Sequence, residues 1–288
     1  MSVSELERQA QGWLLDCEIR QLSSNTLDLR RVITGKLLWY LREQGHTHCD
    51  GVAVRAFLAY LANGHKQEGG RWGNGQLTRA PRPKTIKLYY DDLAAMFRFL
   101  VGQGVVVKNP MEGISKPVVR QDQVQPFTGE QVQALLSAAK RSENPRRNEA
   151  IILFLLDTGA RASEVCSLKV GDVDLTQKRC SVAGKGNKKR QICFGPTTAR
   201  ALLKYLSEAP RPEDAGLFLS DKGGSAGEGL TRVGLRLLFV RLGKVAKLSG
   251  VRCSPHTFRH TFAVNFLRRG GNVFTLKELL GHTALHMV

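Results

Sequence analysis

Four short segments of the sequence hold side chains that could bind and protonate an anionic substrate. They lie at residues 158–164, 184–186, 256–260 and 280–282, and they contain arginine, lysine and histidine. Guanidinium groups hold anionic oxygens with planar, fork-like donors, and imidazole gives or takes a proton near neutral pH. Each segment alone is a weak signal, because a single arginine, turn lysine or histidine usually has a solvated or structural role. Their occurrence as one ordered set is the stronger observation.

Two groups of potential metal ligands are present, but neither has the pattern of a metal site. His256 and His260 are four residues apart, as zinc ligands on a helix can be, yet no H-E-x-x-H motif or companion cluster accompanies them. His46, His48 and Cys49 lie close together in a helical region, which favours a loop or surface role. Lys185, which stands between two glycines in the 184–186 segment, also lacks the spacing and the following helix of a nucleotide-binding loop. The sequence therefore predicts no metal and no nucleotide cofactor.

The charge of the chain points to a polyanionic partner. There are 43 Lys and Arg against 25 Asp and Glu, which gives a formal net charge of +18 and a pI near 10.0. Residues 175–207 hold eight basic residues and no acid, and residues 229–288 hold ten with Glu278 as the one acid. Nucleic acid is favoured over a membrane, because no basic amphipathic helix with an aromatic face stands out. A solvated basic face is the alternative.

The cysteines and the apolar runs indicate the compartment. The six cysteines are scattered without a CxxC pair, so neither a disulfide framework nor a zinc ribbon is signalled. The longest apolar run, residues 150–156, is far shorter than the roughly 20 residues that a membrane span needs. The amino terminus has no signal-like apolar core. We expect a soluble, cytoplasmic protein that does not bind a membrane.

The elements that must position the four segments fall into two domains joined by a linker. Apolar residues recur at spacings of three and four over residues 4–114, which predicts an all-helical domain, 1–115. Within it the glycine- and arginine-rich segment 63–83 has no periodicity, and we expect a mobile loop there. Prolines and polar residues at 116–126 predict the linker, and the second domain follows at 127–288.

The second domain is predicted to be mostly helical with a small sheet. Thr128 and Gln131 have the spacing of a capping box at the start of a helix that ends at residue 139, and 149–156 is apolar nearly all round, as a core helix is. Strand-like runs flank the glycine turn and predict a hairpin of 179–183 and 190–194. Further helices are predicted at 197–207, 230–248, 257–269 and 273–280. The predicted fold is mainly α with a small antiparallel β-sheet.

The ordered motifs resemble those of the tyrosine recombinases of the phage integrase family. That family carries arginine in T-G-x-R-x-x-E, lysine in a hairpin turn, H-x-x-R-H, and L-G-H before a nucleophilic tyrosine, and this chain matches from about residue 127 to residue 282. Its helical first domain resembles the core-binding domain of the family. The resemblance implies a SAM-like helical core-binding domain followed by an α+β tyrosine-recombinase catalytic domain.

The resemblance also implies roles for the residues of the motifs. Arg161 and Arg259 would hold the non-bridging oxygens of a DNA phosphate as a phenolate attacks it. His256 and His282 would donate hydrogen bonds to the same phosphate, and His256 could help to accept the proton of the tyrosine.

Two further residues have implied roles in the reaction. Lys185 would be the general acid that protonates the 5′-hydroxyl leaving group, and Glu164 would orient Arg161 or a neighbour without touching the substrate. A covalent 3′-phosphotyrosyl link conserves the energy of the broken bond, so the family needs neither ATP nor a metal.

The nucleophilic tyrosine of the family has no counterpart in the sequence. It should lie nine residues after His282, which is three residues beyond Val288. No tyrosine upstream matches the motif; those present are Tyr40, Tyr60, Tyr89, Tyr90 and Tyr205. We interpret the sequence as shortened before the tyrosine, and we expect it to bind DNA without cleaving it.

The leading hypothesis is a site-specific recombinase or integrase of a mobile element or chromosome. It would clamp duplex DNA between its two domains and act as a homo-tetramer on two duplexes. Two alternatives remain open. One is a non-catalytic, recombinase-like DNA-binding protein, and the other is a type IB topoisomerase, which the recombinase-like first domain disfavours.

Overall fold

Helices account for most of the residues that the computed structural model describes, which are 1–119, 124–183, 189–221 and 227–281. One sheet of three antiparallel strands accompanies them within those ranges. The predicted fold class, mainly α with a small antiparallel β-sheet, is confirmed. The chain divides into two units, Met1–Gln121 and Asp122–Val288, and each has its own hydrophobic core.

The α-helices of the first unit pack their apolar faces on one core, as the spacing of three and four predicts. Three of them begin at a capping side chain, which is Ser2, Ser23 or Asp50, and which accepts a hydrogen bond from a backbone N–H of the first turn. Such caps satisfy donors that the start of a helix leaves without a partner. The helices described in this unit are α1 Val3–Ile19, α2 Ser24–Glu43, α3 Gly51–Asn63 and α4 Pro83–Gly102.

The segment between α3 and α4, for which the sequence predicts a mobile loop, contains two 3₁₀ turns and is anchored by Trp72. The Trp72 ring meets Trp39 edge-on with 5.6 Å between centroids, and its backbone N–H donates to Tyr60 Oη at 2.8 Å. Lys36 Nζ lies 4.9 Å from the centroid of the same ring. These contacts join residues far apart in the sequence, so a local pattern does not reveal them.

The second unit begins with two helices that the sequence predicts. The N–H of Gln131 donates to Thr128 Oγ1 at 3.2 Å, and the N–H of Thr128 donates to Gln131 Oε1 at 3.0 Å. The predicted capping box is therefore confirmed at the start of α5, Gly129–Lys140. The next helix, α6, spans Pro145–Thr158, begins four residues earlier than predicted, and buries most of its apolar residues in the core.

The sheet contains the predicted hairpin and one additional strand. Strands β2, Arg179–Ala183, and β3, Lys189–Cys193, pair antiparallel, one residue from the predicted position of β3. Residues 184–188, for which the sequence predicts the turn of the hairpin, lie outside the described residues. Strand β1, Val173–Asp174, pairs with β2 and was not predicted, because two residues are too few to show an alternating pattern.

The remaining helices carry or surround the motif segments. One of them, α7, was not predicted, because six residues are too few to show a helical period. The predicted 230–248 helix is shorter in the structure, since Thr231 caps its start and Lys247 has a φ of 50° just after its end. No helix within the described ranges is both long and apolar enough to cross a membrane. The bounds are α7 Ala162–Ser167, α8 Pro196–Glu208, α9 Arg232–Val245, α10 Pro255–Arg268 and α11 Val273–Leu280.

Candidate active site

A tight turn after α6 places the first arginine of the motifs. Gly159 ends α6 with a φ of 59°, and a Cβ at this position would lie 2.5 Å from Phe262 Cδ1. Both the left-handed backbone and the close packing require glycine here. The chain then turns into α7 with Arg161 as the residue before its first turn. The T-G-x-R segment is therefore a helix stop followed at once by a helix start.

Glu164 joins two arginines beneath this turn. Its side chain is 2% exposed, and its two oxygens accept four hydrogen bonds. Arg161 donates from its backbone N at 2.7 Å and from Nη1 at 3.0 Å, while Arg190 on β3 donates from Nη1 at 2.6 Å and Nη2 at 3.0 Å. Burial alone would raise the pKa of Glu164, but the bonds from Arg190 and Arg161 outweigh burial and hold that pKa below its ordinary value. Glu164 is therefore a buried carboxylate.

Arg259 reaches the same region from α10. It is 8% exposed, and it donates from Nη1 to Gly159 O at 2.9 Å and from Nη2 to Leu280 O at 2.7 Å. Arg161 Nη2 donates to Gly281 O at 2.7 Å. The structure thus brings the two predicted arginines to consecutive carbonyls at the end of α11, from positions 98 residues apart (259 − 161).

The site carries more positive than negative charge. Within the described residues three guanidiniums, those of Arg161, Arg190 and Arg259, surround the single carboxylate of Glu164. Burial, followed by the charge of Arg161, lowers the pKa of Arg259 to about 10, although Glu164 opposes that shift. Arg259 is still protonated at neutral pH. A bound anion would relieve this repulsion, and phosphate oxygens match the donor geometry of guanidinium.

Of the three remaining predicted residues, His256, Lys185 and His282, the structure describes one. His256 is exposed in the first turn of α10, three residues before Arg259, so both lie on one side of the helix. Lys185 and His282 lie outside the described residues. Within the described part of the chain, no group of three or more His, Cys, Asp or Glu side chains could hold a metal ion.

Sequence reasoning missed Arg190. In the sequence it is one of eight basic residues between 175 and 207, and no motif distinguishes it from its neighbours. The available signal is its place in the predicted strand two residues before the apolar Ile192, since alternate residues of a strand lie on one face.

Comparisons with known proteins identify the family. A profile described as the phage integrase family matches residues 125–288. Tyrosine recombinase XerC of Roseiflexus castenholzii is 34% identical over 275 residues, which cover 92% of this chain and 82% of the relative. Tyrosine recombinase XerC of Bacillus licheniformis is 36% identical over 257 residues, covering 85% and 78%. Tyrosine recombinase XerD of Listeria monocytogenes is 34% identical over 209 residues, covering 69% and 68%.

Solved structures show the same fold. A lambda integrase dimer bound to a core site matches with a TM-score of 0.75 at 18% identity, covering all of this chain and 97% of that one. The Tn1549 transposon integrase in complex with transposon right end DNA matches with a TM-score of 0.72 at 21% identity, covering 100% and 93%. The resemblance seen in the motifs is confirmed, and the chain belongs to the phage integrase family of tyrosine recombinases.

Proposed function

We propose that this protein is a site-specific recombinase that cleaves and rejoins duplex DNA through a 3′-phosphotyrosyl intermediate. The observation that carries the proposal is the convergence of Arg161 and Arg259 on the end of α11, in a region with an excess of positive charge. Such a site is suited to a phosphate whose negative charge grows in the transition state.

Arg161 is built to hold that phosphate while remaining fixed to the protein. In the described part of the chain two of its five N–H donors bond through the side chain to Glu164 and Gly281. Its side chain is 35% exposed, so DNA can reach it. Arg259 lies deeper and would approach the second non-bridging oxygen. Two guanidinium groups that are held in place before the substrate arrives need no reorganisation during the reaction.

The proton transfers fall to the residues around the two arginines. The tyrosine oxygen attacks phosphorus, and the bond from phosphorus to the 5′ oxygen breaks. We assign Lys185 as the acid that protonates this oxygen, and His256 and His282 as hydrogen-bond donors to the phosphate. His256 would also help to accept the proton that the tyrosine loses as it attacks. In the reverse step a 5′-hydroxyl attacks the phosphotyrosine and releases the tyrosine, so the number of high-energy bonds is unchanged.

The proposed partners follow from this reaction. The substrate is duplex DNA, and exchange between two duplexes needs four copies of the chain, so we propose a homo-tetramer on DNA. Solved relatives include a lambda integrase dimer on a core site and a XerH recombinase on difH substrate. We assign no metal, no nucleotide cofactor and no membrane partner, and we place the reaction in the cytoplasm.

A second candidate function is binding of DNA without cleavage, and the surroundings of Tyr205 bear on it. Tyr205 is the one tyrosine of the second unit. It is 8% exposed, its ring stacks on Phe218, and its hydroxyl accepts from Leu219 N at 3.2 Å and Arg211 Nη1 at 3.0 Å. Tyr205 is therefore a core residue and cannot attack DNA without unfolding its surroundings.

The proposed reaction predicts a specific rescue of Lys185→Ala. The experiment uses an extended polypeptide, which consists of residues 1–288 followed by the corresponding residues of a tyrosine recombinase relative through its motif tyrosine. The target site is found by sequencing DNA bound to the purified protein. Lys185→Ala should keep its DNA affinity and cleave ordinary DNA about 10²- to 10⁴-fold more slowly, because it lacks the general acid. A bridging 5′-phosphorothiolate, whose sulfur leaves without a proton, should restore cleavage.

The control for this experiment is Arg161→Ala on the same two substrates. It should be slow on both, because it lacks phosphate stabilisation and not a proton. If the phosphorothiolate left Lys185→Ala as slow as ordinary DNA does, the general acid would have to be another residue.

A further inference from the structure

We infer that Arg190 is a positioning residue of the recombination reaction, because it joins β3, the Glu164 carboxylate beneath Arg161, and the end of α11 in one side chain. The inference rests on the proposed function for its effect on catalysis. The contacts themselves do not depend on that function.

Arg190 has the geometry of a three-way connection. Its Nη1 and Nη2 donate to Glu164 Oε1 and Oε2 at 2.6 and 3.0 Å, and its Nε donates to Leu279 O at 3.2 Å. The side chain is 18% exposed. Each of the three nitrogens of the guanidinium donates to the protein, so we assign Arg190 an action on the substrate through Glu164 and α11.

Arg190 and Arg161 donate hydrogen bonds to the same carboxylate, that of Glu164. Glu164 Oε1 accepts from the Nη1 atoms of both arginines, and Oε2 accepts from Arg190 and from the backbone N of Arg161. Without Arg190 the buried carboxylate loses two of its four bonds. It would then turn toward Arg161 or toward water, and the guanidinium of Arg161 would move with it.

The second contact of Arg190 fixes the end of α11. Three consecutive carbonyls there, those of residues 279, 280 and 281, each accept from a different arginine: Arg190, Arg259 and Arg161, respectively. The end of a helix carries exposed carbonyls and partial negative charge, so three guanidiniums are favourable there. Each comes from a different element, so the end of α11 has one fixed place relative to β3, α7 and α10.

Gly281 fits the same arrangement. Its φ of 61° ends α11, and a Cβ would lie 3.2 Å from Arg190 Nη1 and 3.4 Å from Arg161 Nη1. The glycine of the L-G-H motif therefore leaves room for two guanidiniums as well as supplying the left-handed turn.

The catalytic test compares Arg190→Gln and Arg190→Lys with the parent in the extended polypeptide. Arg190→Gln should cut DNA about 10- to 100-fold more slowly, because small displacements of a catalytic group cost that much, while DNA affinity stays within about threefold. Arg190→Lys should remain slow, because lysine restores the charge and not the fork. The matched control is Arg146→Gln on α6, whose arginine pairs with Glu208 at 3.0 Å on the exposed surface and which should cleave like the parent.

A double variant separates positioning from general destabilisation. Because Arg190 and Glu164 act through one contact, Glu164→Gln with Arg190→Gln should be no slower than the slower single variant. If the double variant were slower than the parent by the product of the two separate effects, the inference would be overturned. It would also be overturned by Arg190→Gln cleaving as fast as the parent, or by loss of folding by circular dichroism in both Arg190 variants, since Arg190 would then be a stability residue.

A second measurement needs no cleavage and uses the 288-residue chain. Amide hydrogen exchange of the last turn of α11 should become faster in Arg190→Gln, while α1 of the first unit exchanges as before and Arg146→Gln changes neither α1 nor α11. Unchanged exchange in α11 would overturn the contact with Leu279. If the extended parent formed no covalent product, the proposed function would fail, whereas the exchange result would still decide whether Arg190 holds α11.

Discussion

Binding to the DNA site is expected to weaken by about 10³- to 10⁵-fold between 50 and 200 mM salt, if about six to ten phosphates are neutralised. The reason is the net charge of +18, with ten basic residues and one acid in residues 229–288 alone. Each phosphate contact releases condensed counterions, so the logarithm of the affinity should fall linearly with the logarithm of the salt concentration. Fluorescence anisotropy of a labelled duplex at several salt concentrations measures this slope.

The control is an unrelated duplex of the same length. Both slopes should be steep, because phosphate contacts are independent of sequence, while the affinities differ at every salt concentration. An affinity that fell less than about tenfold over this range would contradict a phosphate-dominated interface.

Arg161→Ala and Arg259→Ala are each expected to slow cleavage by the extended polypeptide about 10²- to 10³-fold or more, as loss of one preorganised donor to a growing negative charge does. Lysine at either position should restore little of the cleavage rate, since its ammonium group cannot offer two parallel donors. Single-turnover cleavage at saturating protein measures the chemical step apart from binding.

The two variants should differ in stability. Arg259 is buried, so alanine leaves the carbonyls of Gly159 and Leu280 without this donor, and a buried unsatisfied group costs about 1–3 kcal/mol. The side chain of Arg161 is more exposed, so Arg161→Ala should lower the free energy of unfolding by less than Arg259→Ala does. Thermal unfolding measures this difference. Cleavage by Arg161→Ala within about tenfold of the parent would remove Arg161 from the proposed phosphate site.

Local patterns in the sequence predict most of the fold. The capping box of Thr128 and Gln131, the apolar period of α6 and the hairpin strands all depend on neighbouring residues, and the structure contains each of them. The short elements α7 and β1 were missed because they span less than two periods. The anchoring of the long loop by Trp72 was missed because its partners lie on other helices.

In the candidate site, too, the sequence predicts some of the residues but not the long-range contacts between them. Arg161 and Arg259 are predicted because they stand in motifs that resemble a family. Arg161 reaches the end of α11 through a bond to Gly281, 120 positions away, and Arg259 bonds both to Leu280 there and to Gly159, 100 positions away. No local spacing in the sequence encodes the long-range bonds of this set. Arg190 stands in no motif, and its bonds to Glu164 and Leu279 are the observation on which its proposed role rests.

The most direct test of the account is covalent capture of DNA. The 288-residue chain and the extended polypeptide are incubated with a labelled target duplex, and the products are separated on a denaturing gel. The account predicts a protein–DNA band for the extended polypeptide, its loss when the motif tyrosine is changed to phenylalanine, and no band for the 288-residue chain. A band from the 288-residue chain would mean that an upstream tyrosine is the nucleophile. No band from an extended polypeptide that binds the site would contradict the proposed reaction.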